Sequence, residues 1–164
     1  TPAERLASLE RSSYLNDAYR ALRNPVSRVE HLLAIEGLPS AKSEDPSTGQ
    51  GGTAKVPASL LEEVFSLNEE LDEIRELRES GGDPAKLQAR LDAARQPIEA
   101  KRDAHEHQLR ELSDRWDALP SDAPPALKRQ TLEALRERLL ERNYINNLLA
   151  AIDREAAEIV NREA

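Results

Sequence analysis

Cysteine is absent from this 164-residue chain. No disulfide, thiol nucleophile or cysteine-ligated metal or iron–sulfur centre can therefore be built from this chain alone. Aromatic side chains are scarce at 3%, with one Phe and one Trp, so any core must be aliphatic. The glycines number six and are clustered. None forms a phosphate loop: Gly81-Gly82 reads as a helix stop, and Gly51-Gly52 has no strand before it. No apolar run approaches the roughly 20 residues needed to span a bilayer. No secretory signal is visible, and the chain begins at Thr1 without Met, as a processed product or fragment would. Positive charge is also in deficit. The formal net charge is −8 and no basic stripe stands out, so nucleic acid is a poor candidate partner. These absences fit a cytoplasmic protein with no cofactor of its own.

What is present is charge and aliphatic bulk. Charged residues make up 33% of the chain. Ala, Leu, Glu and Arg dominate, the composition of long helices, so the expected fold class is all-α. Thr1, Pro2 and Glu4 are good starting residues for a helix over 2–23. Its apolar face would be Leu6, Leu9, Leu15, Ala18, Tyr19 and Leu22. Asn24-Pro25 breaks the chain and starts a second helix over 25–36, with Val29, Leu32, Leu33 and Ile35 apolar and Gly37 as its stop. This hairpin is too small for a comfortable core of its own. It must lean on the helices that follow or on sequence upstream.

Residues 38–56 are rich in Pro, Gly and Ser and read as a linker. Three helices should follow. The first opens at Pro57 and runs to Glu79, ended by Ser80-Gly81-Gly82. The second starts at Asp83-Pro84 and runs to Leu119, with the stripe Leu87, Leu91, Ala94, Ile98, Leu109, Leu112 and Trp116. Pro97 lies inside it and should kink or split it. The third runs from Pro125 past Ile159, with Leu132, Leu135, Leu139, Ile145, Leu148, Leu149 and Ile152 inward. Short turns between long helices predict an antiparallel three-helix bundle over 57–164.

The stretch Val56–Glu79 has one more face than a core helix needs. Leu60, Val64, Leu67, Leu71 and Ile74 form the inward seam. A second line, Leu61, Phe65, Glu69 and Glu73, lies roughly 140° away from it. Phe65 should point outward among carboxylates. Eight acids stand between Leu61 and Glu79 against Arg75 and Arg78. Such a line is either a solvated face with a stray aromatic or a ridge that binds a partner carrying basic residues. The pattern alone leaves both open.

Little in the chain promises catalysis. His105 and His107 are two apart and point to different sides of a helix, a poor arrangement for one metal. His107 shares a side with Asp103, and His31 sits on an amphipathic helix. Both are more often solvated or packed than ligating. No carboxylate pair is marked out as an acid and base. We expect no enzymatic activity and no metal site.

Two stretches carry a family resemblance. SSYLNDAYRALRNPVSRVEHLLAIEG, residues 12–37, resembles the last part of the J-domain in HscB-type iron–sulfur cluster assembly co-chaperones. LLEEVFSLNEELDEI, residues 60–74, resembles the opening helix of that family's C-terminal bundle. The order of parts is similar over nearly the whole chain. The resemblance implies the C-terminal part of a J-domain at 1–37, a linker at 38–56 and a scaffold-binding bundle at 57–164. It implies a co-chaperone that binds the IscU-type iron–sulfur scaffold protein and delivers it to an HscA-like, DnaK-class ATPase chaperone. The scaffold would hold the cluster. Matched by motif, the implied scaffold-binding residues are Leu61, Phe65, Glu69, Glu73 and, in RNYINNLL, Tyr144.

There are departures. Family members often carry an apolar residue where this chain has Glu62 and an acid where it has Ser66. The His-Pro-Asp tripeptide by which J-domains activate the ATPase is absent. The resemblance implies that it belongs shortly before the helix that begins here, so the chain as given is not expected to stimulate the ATPase. The alternative is a generic helical adaptor or a self-associating bundle, with Phe65 packed against another copy.

Overall fold

Helix boundaries in this chain are set by strong local signals. In the computed structural model, which describes residues 1–39 and 57–161, α1 spans Pro2–Arg23. Thr1 accepts the Glu4 amide and the Glu4 carboxylate reaches back, a reciprocal cap. Asn24 is extended and stops α1. Its Oδ1 then accepts the amides of Val26 and Ser27 at 2.9 and 3.1 Å, starting α2 at Pro25–Ile35. The bundle helices are α3 (Leu61–Glu79), α4 (Pro84–Asp117) and α5 (Pro125–Asn161). Between α3 and α4, Gly81 adopts φ +84°, and a Cβ on Gly82 would lie 2.8 Å from the Leu77 carbonyl oxygen. Both positions thus demand glycine. The described residues hold these five α-helices and no strand, an all-α fold.

Polar contacts fix the register of the bundle. Arg90 grips Glu70 at 2.6 and 2.9 Å and Lys101 pairs with Glu63, so α3 and α4 are antiparallel. Arg95 meets Asp153 and Arg138 meets Gln108, so α4 and α5 are antiparallel. Ser59 meets Glu141 and Arg75 meets Glu155, so α3 and α5 run parallel. This is the expected up-down-up arrangement. At 1.5 Å per residue, α4 and α5 are each over roughly 50 Å long and α3 about 28 Å. The α4–α5 hairpin therefore extends well beyond the start of α3.

Two apolar cores sit along that hairpin. Leu60, Leu67, Leu71 and Ile74 pack with Leu87, Leu91, Ile98, Ile145, Leu149, Ile152 and Ile159. The seam read from the sequence is thus the buried one, with Val64 partly buried at its edge. Beyond the start of α3, α2 takes its place: Val29 and Leu33 pack with Leu109, Leu132, Leu135 and Leu139. Of the two supports open to the first hairpin, α2 uses the helices that follow. Helix α1 does not. None of its residues is buried, and Leu6, Leu9, Leu15, Tyr19 and Leu22 are exposed.

Three boundaries differ from expectation. Pro57 does not open an α-helix; a 3-10 turn, Ala58–Leu60, precedes α3. That turn is fastened from outside, by Lys101 Nζ on the Ser59 carbonyl at 2.6 Å and by Ser59 Oγ donating to Glu141 at 2.6 Å. Pro97 does not split α4, which runs unbroken through it on an exposed side. The expected linker begins later than 38: Leu38 packs on the second core and the Pro39 carbonyl accepts from Arg136 at 3.1 Å. The rest of that linker, 40–56, lies outside the described residues.

Candidate functional site

The outer line of α3 is where the spacing places it. Leu61 is 41% exposed and Phe65 71% exposed. A benzyl group that open to water has no structural duty in the bundle, while Ile74, on the inner seam of the same helix, is fully buried. Glu69 lies one turn beyond Phe65, exposed, and makes no ion pair among the described residues. Its charge is available to a partner.

Glu73 is placed differently from Glu69 in its chemistry. It is exposed, but Arg90 Nη2 donates to its carboxylate at 2.6 Å while also holding Glu70. The hydrogen bonds that Arg90 donates to both carboxylates push its pKa up from the usual value. Glu73 is thus partly neutralised from within. Sequence spacing cannot reveal this, because the cation comes from another helix.

Tyr144 stands apart from the other four. It is half-buried on α5 and packs against the core shared by α3, α4 and α5. The Ser59–Glu141 contact and the parallel run of α3 and α5 place it level with the first turn of α3, beside the Leu61 end of the line. The structure thus brings Leu61, Phe65, Glu69 and Glu73 onto one face and sets Tyr144 at its margin.

One buried polar group escaped the sequence reading. His105, rated only as a poor metal ligand, is 4% exposed and sits 3.8 Å from the carboxylate of Glu141, itself 4% exposed. Burial pushes the His105 pKa down, which keeps the imidazole neutral near pH 7. Its place in the apolar stripe of α4, between Ile98 and Leu109, was the available signal. His107 is exposed and pairs with Glu111 at 3.3 Å, not with Asp103. His31 is exposed on α2. Among the described residues no group of three His, Asp or Glu side chains is placed to hold a metal, and no helix is long and apolar enough to cross a membrane.

The site is therefore a surface: an exposed aromatic and a leucine on a helix rich in carboxylates, braced by ion pairs to α4. Such a surface can bind a protein with complementary apolar and basic groups. No protein-family model matches this chain, and no solved structure matches it.

Proposed function

We propose that the chain is a non-enzymatic, cytoplasmic co-chaperone of the HscB type. It binds an IscU-type iron–sulfur scaffold through the outer face of α3 and presents it to an HscA-like, DnaK-class ATPase. The observation that carries this reading is the 71% exposure of Phe65 on an acidic helix face that the bundle does not use. Leu61, Phe65 and the edge of Tyr144 supply buried apolar area. Glu69 steers and orients a basic partner, and Glu73 does so to the extent that Arg90 leaves it free. Calorimetry with a purified IscU-type scaffold tests this. Phe65→Ala weakens binding by about 1–3 kcal/mol, the scale of an interface anchor, with helicity retained. Equal affinity for the two proteins removes Phe65 from the site.

Self-association is the second reading, and α1 favours it, because Leu15, Tyr19 and Leu22 are exposed and find no core among the described residues. Sedimentation separates the two. A monomer that binds the scaffold supports the first, and a tight dimer that disperses on Phe65→Ala or on Leu15→Ala supports the second.

A further inference from the structure

Between α3 and α4 runs an open groove of about 560 Å³. Small side chains create it. The Glu70–Arg90 and Glu63–Lys101 pairs set a register that brings Ser66 opposite the turn from Ala93 to Pro97, and all three line the groove. Leucine-sized residues there would have closed the space between the helices.

Its walls are chemically mixed in a specific way. Ala93, Ala94 and Pro97 give an apolar side. Pro97 has no amide hydrogen, so the Ala93 carbonyl receives no donor from the residue four positions on. Glu62 stands on the α3 rim and makes no ion pair among the described residues. Glu70, also in the wall, is already matched by Arg90. The groove therefore offers one uncompensated carboxylate, one helical carbonyl lacking its usual donor, and an apolar wall between them. Glu62 and Glu69 each lie three or four residues from both Phe65 and Ser66, so the groove opens beside the exposed Phe65.

We propose that this groove is a subsite of the partner-binding face and receives a lysine or arginine side chain from the protein that covers Phe65. The proposal rests on reading the α3 face as a docking face. The aliphatic stem lies on Ala93, Ala94 and Pro97, and the cationic head donates to Glu62 and to the Ala93 carbonyl. Long basic side chains suit such a site because they join an apolar stem to a charged tip. The sign of the charge selects the occupant: Glu70 is balanced by Arg90, which also lines the groove, and an acidic side chain there meets the uncompensated Glu62 and is repelled.

Titration of the isotopically labelled full chain, followed by amide NMR, tests this in two arms. The first arm uses a short helical peptide of leucine and arginine, with the same peptide carrying glutamate for arginine as control. The arginine peptide shifts the amides of Ser66, Ala93, Ala94 and Ile98, and the glutamate peptide does not. Ser66→Arg, which fills the groove with the chain's own cation, removes those shifts and weakens peptide binding about tenfold. Its folding is checked by circular dichroism, and Glu62→Gln serves as a second variant that leaves the packing intact. Unmoved α4 amides, or undiminished binding by both variants, overturn the proposal. The second arm uses an IscU-type scaffold. If the scaffold fails to bind while the arginine peptide fills the groove, the scaffold reading falls and the groove stands. If the scaffold moves the Phe65 amide but leaves Ala93 and Ala94 unmoved, the docking face stands and the groove is overturned.

Discussion

Phe65 and Ile74 are nine positions apart on one helix, yet their environments are opposite. Ile74 is fully buried in the core of α3, α4 and α5, and Phe65 is 71% exposed. Ile74→Ala leaves a cavity and should destabilise the fold by about 2–5 kcal/mol. Phe65→Ala should change stability by no more than about 0.5 kcal/mol. Urea denaturation of the two variants checks this, and a large loss for Phe65→Ala would mean that it packs. The two carboxylates beyond Phe65 divide in the same way. Glu69→Gln should slow association with a basic partner more than Glu73→Gln, because Arg90 already holds Glu73. Stopped-flow association rates at low salt decide it, and equal slowing would mean that Arg90 releases Glu73 on binding.

At the scale of elements, α1 and α2 show how similar helices come to different ends. Both are well capped, and both carry aliphatic side chains. Val29 and Leu33 of α2 enter a core, whereas no side chain of α1 does. Local stability follows burial rather than capping. The amides of α1 should therefore exchange with solvent much faster than those of α5 in hydrogen-exchange mass spectrometry. Protection of α1 equal to that of α5 would show that its apolar face is covered in solution. Pro97 makes a related point. It breaks one helical hydrogen bond, but α4 is flanked on both sides by packed turns, from Leu91 to Ile98 and on to Leu109, and remains a single helix.

Across the whole molecule, the long α4–α5 hairpin carries two cores, one completed by α3 and one by α2. A polar layer separates them. His105 falls between Ile98 and Leu109 on α4, and Glu141 falls between Leu139 and Ile145 on α5. Glu141 accepts from Ser59 at 2.6 Å and pairs with Arg138 at 2.7 Å. Burial outweighs the upward pull of the Arg138 backbone and of Glu141, and with the charges of Arg138 and Arg142 it depresses the His105 pKa below its ordinary 6.5. The unfolded chain therefore takes up a proton near pH 6.5 that the folded chain refuses. Stability holds above that pH and falls below it, by up to about 1.4 kcal/mol per pH unit, until the folded value is passed. Denaturation midpoints at pH 7 and 5.5 should show this drop, and His105→Gln should reduce it. A drop of the same size in the variant would assign it to other groups.

Much of this was legible in the chain itself. Helix starts at Thr1-Pro2, Asn24-Pro25 and Asp83-Pro84, and the stop at Gly81-Gly82, depend on groups a few residues apart, so the sequence carries them. The inner seam of α3 and the outward Phe65 follow from helical period alone. What required the tertiary structure was every contact between helices: α2 completing the second core, Lys101 fastening the turn before α3, Arg90 claiming Glu73, and His105 meeting Glu141. Each joins residues from 17 to more than 100 positions apart. A periodic pattern tells which side of a helix turns inward. It does not tell which neighbour that side meets, because any aliphatic face can be buried by any other and only the assembled packing selects one.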